Sequence, residues 1–185
     1  EELEPLIEVW QTPAEILDYR REANPLALLE TLRQQPGLQL WCEVGDKNRL
    51  GGVDRNELLP APLLAIWSIP PGPTELHSAL QITRPEVVVL FAVDPEMDHN
   101  DAFVRRLAGL VKHNLRSSQG WVSLPSLAAA TAHRLATVRL GLDWLQARGH
   151  IRIVSSDEDT SLLEQGDGIS QPGITEIAAR LTAML

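Results

Sequence analysis

The chain has 185 residues, of which 44% are hydrophobic and 22% are charged, and its formal net charge is −9. This composition is typical of a globular protein with one large or two small domains, and it excludes a disordered chain. The sequence contains no apolar run of about 18 residues, which a membrane-spanning helix would need, and no signal peptide at residues 1–8.

We therefore predict a soluble, cytoplasmic protein. A single cysteine, Cys42, excludes an intrachain disulfide, and no clustered histidines complete a zinc site. Because the chain begins at Glu1 without methionine, we expect it to be a processed or excised piece of a longer protein.

The first half of the sequence, up to about residue 94, alternates short apolar runs with helical patterns. Leu63–Ile69 and Val87–Val93 are almost continuously apolar, as in central strands of a parallel sheet covered on both faces. Between them, Thr74–Thr83 is predicted to form a helix that connects the two parallel strands by a right-handed crossover. The remaining predictions are strands at 6–10, 16–19 and 38–43, a helix from 25 to about 35, and a long polar loop at 45–62.

The second half is predicted to be mainly helical. Four helices are expected. The first covers 102–115, the second begins after an N-cap at Ser123 and ends at a turn at 133–134, the third covers 135–148 and the fourth covers 174–184. Gly149 is expected to end the third of these helices with a left-handed cap, before a hairpin of strands 151–154 and 161–164. This order is typical of a winged helix-turn-helix. The predicted fold class is therefore α/β: a small parallel-sheet, Rossmann-like half (1–98), followed by a winged helix-turn-helix half (99–185) with a C-terminal helix.

The charge is unevenly distributed. Eight Lys/Arg and a single acid, Asp143, lie between Phe103 and Ile153, so this acidic chain contains a basic block that could contact phosphate. The candidate nucleic-acid-binding residues form the rim of the second half: Arg105, Arg106, Lys112, Arg116, Arg134, Arg139, Arg148, His150 and Arg152.

Helix 135–148 is poorly equipped to read bases. Its predicted buried stripe is Leu135, Val138, Leu142 and Leu145, and its opposite face is Ala136, Leu140, Asp143 and Ala147. Two interpretations have equal weight: the rim cations contact a nucleic-acid backbone, or they solvate a unit whose outward face, with Leu140 and Trp144, packs on another domain.

The sequence predicts no catalytic centre, metal site or cofactor of its own. The acidic loop 94–101 could gather metal ligands at the carboxyl end of a central strand, but it lacks the EF-hand pattern and is interpreted as a solvated loop. Phosphate-loop, dinucleotide and nucleophile-elbow motifs are absent. The five histidines are expected at the surface or in caps. Trp67, Trp121 and Trp144 are interpreted as core or interface anchors rather than stacking platforms.

Several segments together resemble the C-terminal domain of bacterial RecJ proteins, which are single-strand-specific DNA exonucleases of the DHH superfamily. The resemblance covers roughly residues 6–154. It is carried by Asp18-Tyr19-Arg20-Arg21 and by the segments LLAIWSIPP (63–71), VVVLFAVD (87–94), FVRRLAGLVKHNL (103–115) and GHIRI (149–153), with the helix pair between the last two.

The resemblance implies a parent enzyme that degrades single-stranded DNA from the 5′ end in recombination and repair. Its Mn²⁺ or Mg²⁺ and its catalytic residues would lie in upstream domains, since no position of this sequence matches the catalytic motifs of the family. Asp98-His99-Asn100 is one residue short of an Asp-His-His triplet, but the chain has none of the other metal-binding motifs, so we reject it as a catalytic centre. The chain would be a non-catalytic accessory domain whose candidate partners are single-stranded DNA, the parent's other domains and other repair proteins. The alternative is a protein–protein interaction module without DNA contact. A free-standing sequence-specific regulator is disfavoured by helix 135–148.

Overall fold

The computed structural model describes residues 15–185, and its first half is an α/β unit with a four-stranded parallel sheet. The elements of this half, in chain order, are β1 (Glu15–Asp18), α1 (Pro25–Leu32), β2 (Leu38–Trp41), α2 (Asp46–Leu50), β3 (Leu63–Ser68), α3 (Pro73–Thr83) and β4 (Val87–Val93). The strand order is β1-β4-β3-β2, so the two most apolar strands, β3 and β4, are central, as predicted.

Alternate side chains of β3 and β4 point to opposite sides of the sheet, and since nearly all of them are apolar, a helix packs on each face. On one face, Ala65, Trp67, Val89 and Phe91 pack with Leu29 of α1. On the other face, Leu64, Ile66 and Val88 pack with Ala79 of α3. This half is therefore consistent with the predicted Rossmann-like arrangement.

The second half consists of α4 (Asn100–Ser117), β5 (Trp121–Ser123), α5 (Leu124–Thr131), α6 (Leu135–Ala147), β6 (Ile151–Ser156), β7 (Thr160–Gln165) and α7 (Ile174–Met184). The three strands form an antiparallel sheet in the order β5-β7-β6. Ser123 caps α5 by accepting a hydrogen bond from the Ser126 backbone, and Gly149 has a φ of +73°, which confirms both predicted helix boundaries.

A single apolar core joins the helices of the second half to its sheet. Phe103 and Leu107 of α4, Val138 and Leu142 of α6, and Leu163 of β7 are almost fully buried in it. Leu181 of α7 is buried in the same core, so α7 packs against α6 rather than extending into solvent.

The helices and strands agree closely with the sequence predictions, apart from two elements. Residues 45–62, predicted as one loop, contain α2, and β5 was not predicted because three residues show no usable periodicity. The strand predicted at 6–10 lies outside the described residues.

A buried ion pair within the first half also contacts the second half through one hydrogen bond. The Arg55 guanidinium forms two hydrogen bonds, of 3.0 and 2.9 Å, to the Glu43 carboxylate, and it donates a third, of 3.0 Å, to the His133 carbonyl oxygen. Glu43 is fully buried and also accepts a 2.7 Å bond from the Trp41 indole. Burial raises the pKa of Glu43, while the bonds from Arg55 and Trp41 oppose that shift.

Candidate nucleic-acid interface

Three of the predicted rim cations form a line along the exposed side of α4. Lys112 and Arg116 follow Arg105 by seven and eleven residues, so the three side chains project within about 40° of one another over about 16 Å of helix. All three are exposed, and none of their side chains forms a hydrogen bond or ion pair with any residue from 15 to 185. The sequence has no acid between Asp101 and Asp143. We call these three residues the basic stripe.

Two separate pockets lie beside the basic stripe, one between α4, α6 and α7 and the other between α4, the end of α6 and the hairpin strands. Trp144 lines the first pocket, with the guanidinium carbon of Arg148 5.3 Å from its ring centroid and the His150 ring 6.4 Å away. Arg105 lines the first pocket with Trp144, and Lys112 lines the second with His150. Five predicted site residues and one indole are thus brought to one side of the molecule.

The other four predicted site residues bind within the protein. Arg106 donates to the Ala130 carbonyl oxygen of α5, and Arg134 donates to that of Pro71, in the first half. Arg139 donates to carbonyl oxygens of Asp157 and Glu158 at the tip of the β6–β7 hairpin, and Arg152 pairs with Glu164. These guanidinium groups therefore join neighbouring elements, which the sequence could not indicate.

The face of α6 that was predicted to point outward is largely covered. Leu140 and Ala147 are only 5% and 3% exposed, so the prediction that they face solvent was wrong. The physical reason is α7, whose apolar side packs against the same core as Leu140. Ala136 and Asp143 remain exposed, as predicted.

The surface between α6 and the hairpin is unfavourable for phosphate. Besides Asp143, it carries Asp157, Glu158 and Asp159 at the hairpin tip. Hydrogen bonds from the backbone and hydroxyl of Thr160, and from the backbone of Asp159, lower the pKa of Asp157, which keeps this carboxylate charged. Partial desolvation of the Asp143 carboxyl raises its pKa although the residue is exposed overall, and Arg180 of α7 and Arg139 oppose that shift.

The tryptophan and histidine predictions have mixed outcomes. Trp67 is 2% exposed and is a core residue, as predicted, whereas Trp121 is 51% exposed on β5. His133 was expected at the surface, but it is buried. Its ring packs edge-on against Phe103, its Nε2 donates to the Met97 carbonyl, and desolvation lowers its pKa.

The acidic loop is organised by its own backbone. Asp94 accepts a 2.7 Å hydrogen bond from the backbone N–H of Glu96, as in a local Asx turn. Across residues 15–185, no three His, Cys, Asp or Glu side chains are grouped as metal ligands would be. Nor does any helix in that range have the length and apolarity needed to cross a membrane.

Sequence reasoning missed most of the residues that line the pocket of Trp144. Asn100, Val104, Ala178 and Leu181 surround Trp144 together with Arg105. Residues of α4 and α7 that are about 80 positions apart carry no local signal of proximity, and only the packing of α7 brings them together.

Comparisons with known proteins identify no relative: no family model matches the chain, and neither a curated protein nor a solved structure is similar to it.

Proposed function

We propose that the chain is a non-catalytic accessory C-terminal domain of a RecJ-like 5′-3′ single-stranded-DNA exonuclease, and that it holds the strand by its backbone. The observation that carries this proposal is the basic stripe, three exposed cations in line on α4. Cations in such a line can contact successive phosphates of a nucleic-acid backbone, and these contacts do not depend on the base sequence. Arg148 lies over Trp144 beside the stripe and adds a fourth cation to this surface.

Residues 99–185 are proposed to be a winged helix-turn-helix in which β6 and β7 form the wing. In such units the second helix of the pair, here α6, usually enters the DNA major groove. Two features oppose that use here: α7 covers part of the outward side of α6, and the wing tip is acidic. The proposed strand therefore lies on α4, and sequence-specific reading of duplex DNA is not part of the proposal.

The resemblance supplies the rest of the proposed context. The parent's catalytic core would hold the Mn²⁺ or Mg²⁺ and cleave the DNA, while this domain would keep the strand near that core in the cytoplasm during recombination and repair. Other repair proteins and the parent's own domains are the proposed protein partners.

Reversing the basic stripe tests the proposal. We expect the triple variant Arg105→Glu, Lys112→Glu and Arg116→Glu to bind a 15-nucleotide single strand about 10- to 100-fold more weakly at 50 mM salt, because three phosphate contacts become repulsive. Fluorescence anisotropy with a labelled strand measures the change.

The matched control reverses three exposed arginines of the first half, Arg21, Arg49 and Arg84, and so changes the net charge equally. It should bind the strand within about threefold of the wild type, since only long-range repulsion changes. Equal losses in the two variants would refute the assignment to the stripe. No binding even by the wild type would leave the protein–protein interaction module as the better account.

A further inference from the structure

A cavity of about 490 Å³ opens beside the basic stripe. It lies between α4, α6 and α7, and its lining includes Val104, Arg105, Trp144, Ala178 and Leu181. Its volume is within the range of about 300–1,000 Å³ found for small-molecule sites. Because Arg105 belongs to both the stripe and the cavity lining, a strand that follows the stripe passes the cavity mouth.

The walls suit a flat, mostly apolar group. Trp144 provides an aromatic surface, and Val104, Ala178 and Leu181 provide aliphatic ones. The Arg148 guanidinium lies over the Trp144 ring and fixes the indole by a cation–π contact. Asp101 also lines the cavity, and its negative charge disfavours entry of a phosphate.

We propose that this cavity receives one unpaired nucleobase of a bound single strand. The base stacks on Trp144, and Arg105 holds the adjacent phosphate. All four DNA bases have an aromatic face, so the site selects an unstacked base without selecting its identity. This inference rests on the proposed function, and it predicts that the protein binds single strands more tightly than duplex.

The test compares an intact 15-nucleotide strand with an abasic strand of the same length and charge. Stacking on an aromatic side chain strengthens binding of each base substantially, so we expect the wild type to prefer the intact strand about 5- to 100-fold. The Trp144→Leu variant should lose this preference and keep the wild-type salt dependence. Trp144→Phe should keep most of the preference.

Trp121→Leu is the matched control, because Trp121 is an exposed tryptophan on β5, outside the cavity. It should retain the preference for bases. Equal binding of intact and abasic strands by the wild type would overturn the base pocket, as would an unchanged preference in Trp144→Leu. The triple Glu variant of the basic stripe, called the stripe variant, separates the two proposals. If it loses binding to both the intact and the abasic strand, the backbone contact is supported even where the base pocket is overturned.

Discussion

Replacing Arg55 with methionine is expected to lower the free energy of unfolding by about 3–5 kcal/mol. The substitution leaves the fully buried Glu43 carboxylate without its two guanidinium hydrogen bonds, and it leaves the His133 carbonyl without one. An uncompensated charge in an apolar interior is strongly unfavourable, although the intact pair itself adds little stability over apolar residues. Urea denaturation followed by tryptophan fluorescence measures the loss.

Arg152→Met is the matched control for this prediction. Arg152 also pairs with a glutamate, Glu164, but the two side chains are 69% and 49% exposed. An exposed pair contributes about 0–1 kcal/mol, so the control should unfold close to the wild-type denaturant concentration. Adding Glu43→Gln to Arg55→Met should recover part of the loss, because it removes the buried charge. Equal, small losses in the two arginine variants would show that Glu43 is not buried as described.

The second large effect is expected at Gly120, between α4 and β5. Gly120 has a φ of +88°, and a Cβ atom there would lie 2.0 Å from the Leu163 carbonyl oxygen. Its own carbonyl accepts a 2.9 Å hydrogen bond from Leu163, so the backbones cannot separate without losing a sheet contact. We expect Gly120→Ala to lower the free energy of unfolding by about 3 kcal/mol or more, from backbone strain and steric overlap together.

Gly173 separates these two contributions. It has the same φ of +88°, but an added Cβ would meet no atom within 4 Å. Gly173→Ala should therefore cost only the backbone strain, about 1–2 kcal/mol. If both alanine variants unfold at the same urea concentration, the close approach at Leu163 is wrong.

Much of the fold could be predicted because its strongest signals are local. The apolar runs of β3 and β4, the cap at Ser123 and the left-handed glycine after α6 are determined by side-chain chemistry and backbone conformation at those positions. Arg55 shows the limit: it lies in a polar stretch predicted as a loop, yet it forms a buried ion pair with Glu43 and donates a hydrogen bond to His133 in the second half. A sequence does not reveal which of several surface-like cations will be buried.

The site shows the same limit. The helical period placed Ala136 and Asp143 correctly on the outward side of α6, but it could not include α7, which buries Leu140. Likewise, sequence identifies cations but not their partners. Arg134 and Arg139 are tied to carbonyl oxygens, whereas Lys112 and Arg116 have no such contact among the described residues.

Acidic and basic side chains lie on different parts of the second half. Acids line the hairpin tip beside α6, and cations follow α4 on a chain whose net charge is −9. Because a strongly acidic protein repels nucleic acid on average, any binding must come from a local basic surface. Binding should then depend steeply on salt.

The most direct test is the salt dependence of single-strand binding by the wild-type protein. If three to five cations neutralise phosphates, the logarithm of the association constant should fall linearly with the logarithm of the salt concentration, with a slope of about −2 to −3.5. The stripe variant should reduce this slope by about 2 units. A wild-type slope near zero, or a stripe variant whose slope equals that of the wild type, would contradict backbone binding by α4.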